Sequence, residues 1–289
     1  MPSWSDAAVH EADIPQGTIR YRELGTGDPI VFVHGLLNDG QLWRKVAPAL
    51  AQDFRVIVPD WPLGSHEVPM REGTDLSLPG LAAIVAGFLD ALELENVTLV
   101  GNDTGGAVCQ RVIVDHPQRI ARLVLTPCDA YENFLPALFT PLKYLGGYVP
   151  GAIRLVGFSL KPAFARRLPL AFGWLAKHGI PDEVTASYLA PGLRDRRIRK
   201  EIATILRGVD NRYTQEAAER FREFDKPVLL VWATEDKVFP IKFGERLAQD
   251  FPDARLERID DSYTYVSEDQ PERTAELIAA FAREPVAAA

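Results

Sequence analysis

Short, continuous apolar runs recur along the chain at Ile30-Val31-Phe32-Val33, Phe54 to Val58, Val97 to Val100, Ile120 to Thr126 and Pro227 to Ala233. Runs of this length, rich in branched residues and closed by turn formers, predict strands buried on both faces. Between them the apolar spacing becomes helical. Leu42, Val46 and Leu50 share one face over Gln41 to Ala51, Ser77 to Leu92 is amphipathic, and Ala107 to Asp115 is helix-like. Thr18 to Glu23 alternates as an antiparallel strand does, and Gly25 to Pro29 is a turn. Strand and helix in alternation predict an α/β fold: a mostly parallel central sheet flanked by helices on both faces.

The alternation stops after Pro127. From about Tyr131 to Phe224 the chain carries short helical segments rich in Leu, Phe, Tyr, Pro and Arg, and no convincing strand. It resumes with the run to Ala233, a helix over Ile241 to Asp250, a strand over Ala254 to Ile259 and a helix over Pro271 to Arg283. The reading is an α/β core of residues 1–134 and 221–289, with residues 135–220 as a helical cap over the strand ends. Glu284 to Ala289 is expected to be a disordered tail.

Composition narrows the function classes. Hydrophobic residues are 47% and charged residues 25% of 289, as in a globular protein with a full core. The net charge of −8 and the lack of a basic block argue against a nucleic-acid partner. Two cysteines, Cys109 and Cys128, make no disulfide framework, and no Cys/His spacing suits a metal. Neither a cofactor nor a metal is expected. Met1 to Ile14 lacks a signal pattern, and no apolar stretch is long enough to cross a membrane. The expectation is a cytoplasmic protein with no membrane partner.

Ligands of open α/β sheets bind outside the carboxyl ends of the strands. There the chain carries Gly101-Asn102-Asp103-Thr104-Gly105-Gly106, the G-x-S-x-G spacing of a nucleophile elbow with Asp in place of Ser. A carboxylate so displayed can attack an electrophilic carbon without first losing a proton. His34-Gly35-Leu36 would aim the Leu36 amide toward the elbow, where it and the Thr104 amide would form an oxyanion hole. Asp236, after the Pro227 to Ala233 strand, and Asp129, after the Ile120 to Thr126 strand, compete for the role of supporting acid. Clustered with Asp103, they would raise one another's pKa values. Of Phe134, Leu135, Leu138, Phe139, Leu142, Tyr144, Leu145, Phe158 and Phe164, part is expected to pack on the main body and the remainder, with Trp61, Leu36 and His34, to line an apolar pocket for a small apolar organic substrate.

His34-Gly35, the Asp60 to Gly64 loop, the elbow, the Asp236 loop and Glu268-Asp269-Gln270-Pro271 resemble the α/β-hydrolase superfamily over nearly the whole chain. Asp103 resembles its haloalkane dehalogenase and epoxide hydrolase branch. That resemblance implies Asp103 as nucleophile and a helical cap. It also implies a catalytic His where this chain has Thr264, so Thr264 enters the candidate site; no His follows His178. Where dehalogenases of this kind carry Trp after the nucleophile, this chain has Thr104, and the His-Gly-x-Pro of the epoxide hydrolases is here His-Gly-Leu-Leu. Three readings remain: hydrolysis of a halide, epoxide or ester-like electrophile through an Asp103 ester; a lyase or isomerase using Asp103 as general base; or a ligand-binding member without turnover. His66 and His178 are the histidines left to supply a base.

Overall fold

In a computed structural model, residues 3–285 are described; residues 286–289 of the expected tail lie outside them. The framework is one sheet of eight strands: β1 Ala8–Ile14, β2 Gly17–Leu24, β3 Pro29–Val33, β4 Arg55–Pro59, β5 Val97–Asp103, β6 Ile120–Cys128, β7 Val228–Ala233 and β8 Ala254–Ile259. Their order across the sheet is β1-β2-β4-β3-β5-β6-β7-β8. β1 and β2 run antiparallel, as do β2 and β4; every other pair is parallel. β5, β6 and β7 are buried along their whole length, which requires helices on both faces.

Among the described residues, twelve α-helices follow in chain order. Those of the main body are α1 Ala47–Leu50, α2 Leu78–Ala91 and α3 Thr104–Asp115 before β6, then α10 Ile241–Asp250, α11 Val266–Asp269 and α12 Pro271–Ala282 after β7. Between β6 and β7 lie α4 Thr140–Tyr148, α5 Ala152–Ser159, α6 Ala163–Arg166, α7 Asp182–Arg194, α8 Arg196–Gly208 and α9 Asn211–Glu219. α2 packs on α3, and α1 on α12. Ser77 caps α2 by accepting from the Gly80 N–H at 3.3 Å.

Three differences from the sequence reading have physical causes. β1 was hidden because it is a sheet edge, exposed at most positions, and so carries no apolar run. The single helix expected over Gln41 to Ala51 is a 3-10 turn, Gly40–Trp43, followed by the short α1. Pro48 accounts for the break, because its ring would meet the carbonyl four residues back in a continuous helix. α9 packs on α3, so the end of the 135–220 stretch sits against the main body.

The rest of that stretch has its own small core. Ile198, Ile202 and Leu206 of α8 pack together with Leu142 and Ile153, and with Leu36 and Leu37 from the turn after β3. This cluster seats the helical segment on the turn that borders the elbow.

Candidate active site

β5 ends on Asp103 and α3 begins on the next residue. Asp103 takes φ 55° and ψ −133°, a conformation that L-residues avoid and that lifts its side chain off the strand. The turn works only with minimal neighbours. A Cβ on Gly105 would stand 2.4 Å from the carbonyl oxygens of Val33 and His34, and one on Gly35 would stand 2.5 Å from the Asp103 Cβ. β3 and its turn therefore press directly on the elbow and hold the carboxyl in place.

Oδ1 of Asp103 accepts from the Thr104 N–H at 2.5 Å and sits 3.1 Å from the Thr104 hydroxyl, whereas Oδ2 accepts nothing among the described residues. The same hydroxyl lies 2.9 Å from Asp129 Oδ2. One hydroxyl proton cannot serve two carboxylates at once. The arrangement is satisfied when Asp129 is neutral and donates to Thr104, which then donates to Asp103. Burial, reinforced by the Asp103 charge, pushes Asp129 well above the ordinary carboxylate range, in agreement with that proton count. Burial also raises Asp103, to about 6, against the lowering effect of the Thr104 hydrogen bonds.

Asp236 is held on the far side. Its Oδ1 accepts from the N–H groups of Val238 (2.7 Å) and Phe239 (2.8 Å) and from the Thr264 hydroxyl (3.1 Å). Its Oδ2 is buried without a partner, as is Oδ1 of Asp129. Burial raises Asp236 to about 7; the three donors oppose that rise and the Asp103 charge adds to it. Thr264 adjoins the elbow, because its carbonyl accepts from Asn102 Nδ2 at 2.9 Å. The structure therefore gathers Asp103, Thr104, Asp129, Asp236 and Thr264 at the carboxyl edge of the sheet. Among the described residues, no group of three or more His, Cys, Asp or Glu is arranged to hold a metal ion.

Beside Asp103 opens a chamber of about 230 Å³. Its floor is Leu36, Leu37 and Asp103; its roof comes from the helical segment, through Leu135, Phe139, Leu142, Leu145, Leu170 and Leu189 among others. Asp103 is the one lining residue with a polar side chain. The Leu36 N–H makes no hydrogen bond among the described residues, so it remains a donor at the chamber floor.

His34, Trp61 and Tyr144, expected around this chamber, do not line it, and neither do Phe134, Phe158 and Phe164. His34 is fully buried, with Nδ1 on the Gly35 carbonyl at 2.9 Å and Nε2 accepting from the Trp61 N–H at 2.9 Å. Burial lowers its pKa to about 4, so it is a neutral strut between two loops. Trp61 turns into the core, donating from Nε1 to the Phe32 carbonyl at 2.8 Å and meeting Phe88 edge-on. Tyr144 points outward at 59% exposure and stacks on Tyr148. Nor do the other histidines reach the acids: His66 Nε2 bonds Glu201 at 2.7 Å, and His178 Nε2 bonds Asp261 at 2.9 Å. Sequence reasoning missed the Thr104 hydroxyl as the link between two acids. The signal was a side chain with a proton to give, placed right after the elbow carboxylate.

An eight-stranded sheet with a carboxylate at a strand-to-helix elbow, under helices inserted after the sixth strand, defines a hydrolase-type α/β architecture. The family model for the alpha/beta hydrolase fold matches residues 28–271, and the chain belongs to that family. It is 27% identical over 266 residues to the "Uncharacterized hydrolase YugF" of Bacillus subtilis, covering 87% of this chain and 89% of that one. It is 28% identical over 273 residues to "Haloalkane dehalogenase 2" of Mycobacterium tuberculosis, covering 92% of each. Among solved structures, the epoxide hydrolase CorEH superposes with a TM-score of 0.78 at 20% identity, over 95% of this chain and 98% of that one, a likeness of fold alone. No helix among the described residues is long and apolar enough to cross a membrane.

Proposed function

We propose that the protein is a hydrolase that acts on a small, neutral, apolar electrophile through Asp103. The observation that carries this reading is the division of labour within that carboxylate: Oδ1 is anchored by Thr104 and Oδ2 is left for an otherwise apolar chamber. Oδ2 attacks the electrophilic carbon of a halide, epoxide or ester-like substrate, and the leaving group departs toward the Leu36 N–H. Oδ1 then becomes the carbonyl oxygen of the covalent intermediate, an alkyl ester from a halide or epoxide and a mixed anhydride from an acyl substrate, and already faces the Thr104 N–H. When water adds to the Asp103 Cγ, that N–H stabilises the negative charge gathering on Oδ1. The helical segment serves as the cap that keeps bulk water out.

Hydrolysis of the ester needs a base, and no imidazole reaches the site. Asp236 is the group we assign to it. Its Oδ2 lacks a partner among the described residues, and its pKa of about 7 suits proton transfer near neutrality. The test is mass spectrometry of Asp103 peptides after incubation with haloalkane, epoxide and ester panels. A substrate-sized adduct on Asp103, accumulating in Asp236→Asn, supports the reading. Turnover with no adduct in either protein overturns it.

A second reading has a specific observation behind it. Three buried carboxyl groups raised by burial, with the Asp103 charge adding to the rise at Asp129 and Asp236, also suit a lyase or isomerase, with Asp103 as general base and no covalent intermediate. Turnover abolished by Asp103→Asn without any adduct selects it.

A further inference from the structure

Between Glu132 and Asp182 the chain carries Lys143, Arg154, Lys161, Arg166, Arg167 and Lys177 and no acid, in a protein whose net charge is −8. The same stretch holds all but one of the large apolar side chains exposed on the described surface, Val9 being the other. Leu155 is 72% exposed, Phe164 71%, Leu170 67% and Tyr148 60%. Such a concentration on adjoining helices marks a contact surface.

The cations are of two kinds. Arg166 is used inside the segment, on Thr185 and the Leu160 and Lys161 carbonyls, and Arg167 and Lys177 pair with acids. Lys143, Arg154 and Lys161 form no ion pair among the described residues. Arg154 and Lys161 instead lie 5.3 Å and 4.3 Å from the ring centroid of Phe158, each cation alongside an apolar neighbour. Side chains of this kind keep the charge in the polar layer while the apolar body sinks. The patch is continuous with the chamber, since the exposed Leu145 (49%) and Leu170 (67%) also line it.

We propose that this face docks on an anionic lipid bilayer and that the chamber takes its apolar substrate from there. The clause about substrate rests on the function proposed above; the docking does not. The charge asymmetry favours lipid as the occupant. A protein acidic elsewhere approaches an anionic surface only through its acid-free face, and the apolar side chains there can enter the acyl boundary. The expected lack of a membrane partner rested on the absence of a signal and of a spanning segment, and surface docking needs neither.

The test uses the full chain and vesicles of phosphatidylcholine, with or without about one third phosphatidylglycerol. The chain should sediment with the anionic vesicles, far less with the neutral ones, and lose binding as salt rises. Leu155→Asp with Phe164→Asp should weaken binding about tenfold or more. Arg154→Glu with Lys161→Glu should do so by a comparable factor, at about fivefold per cation. None of these four side chains lines the chamber, so both variants should turn over a water-dissolved substrate as the parent does. Failure of the parent chain to bind anionic vesicles overturns the proposal, and so does undiminished binding by both variants. It also falls if the chain is a dimer that Leu155→Asp with Phe164→Asp converts to monomer, since the face then pairs with a second copy. Vesicle binding by Asp103→Asn separates docking from chemistry: retained, it leaves docking standing whatever the fate of the reaction.

Discussion

The floor and the roof of the chamber are built on opposite principles. On the floor, turns and hydrogen bonds fix every group, and Asp103 is pinned by a strained backbone, by Gly35 beneath it and by Thr104 beside it. The roof is short helices meeting through aliphatic contacts, with several large apolar side chains left in solvent. A floor of that kind suits chemistry that demands placement within fractions of an ångström. A roof of this kind suits admission and choice, because dispersion contacts between leucines tolerate sliding and repacking.

Substitutions on each side should break that contrast in order of size. Asp103→Ala should lower kcat by about 10⁴-fold or more, because the reacting atoms themselves are gone. Steady-state turnover of any substrate found in the panel checks it, and retention of most activity would dissolve the distinction. Asp236→Asn should lower turnover by about 10²–10⁴-fold, the usual worth of a general base, with the burst of covalent ester preserved. Rapid-quench kinetics resolve the burst from the steady state.

Thr264→His tests the floor from the other direction. The Thr264 hydroxyl already bonds Asp236 Oδ1 at 3.1 Å, so an imidazole there would stand beside that carboxyl group. Turnover should rise by about 10²-fold if an ester awaits hydrolysis, and stay level if Asp103 works only as a proton carrier. In the roof, Leu189→Ala should change KM among substrates of different size by about tenfold while kcat moves less, as expected where one pocket contact is worth only 1–3 kcal/mol.

The smallest effect is on stability. The folded pKa of Asp103 is raised to about 6, so its contribution is full below the unfolded carboxylate range and is lost as pH rises through about 6. Asp103→Asn should therefore be more stable than the parent at pH 8 by on the order of 1–3 kcal/mol, and lose that advantage toward pH 4. Thermal melts across pH measure it. Under the proposed mechanism, activity should fall in the same window, below about pH 6, as the Asp103 carboxylate is protonated.

The floor was legible in the chain because its geometry is local. Gly101 to Gly106 are contiguous, and the apolar run before them and the helical spacing after them state the turn between. Asp236 was legible from its place after a buried strand, and Thr264 only through the family resemblance, as the position where a His is expected. The roof was legible only as a class. That Tyr144 faces out while Leu142 faces in depends on how α4 rolls against α8, a long-range packing choice. His34 and Trp61 went the same way. Their ring atoms bond backbone groups of loops far off in sequence, and such partners leave no trace in spacing.

Leu36 and Leu37 belong to both halves: they pave the chamber beside Asp103 and also pack under Ile198, Ile202 and Leu206 of α8. Anyone transplanting the helical module from a relative would thus be exchanging more than a lid. A graft whose underside does not mate with those two leucines would tilt the loop carrying the Leu36 amide, and a chimera designed to accept new molecules would find that N–H displaced from its chamber.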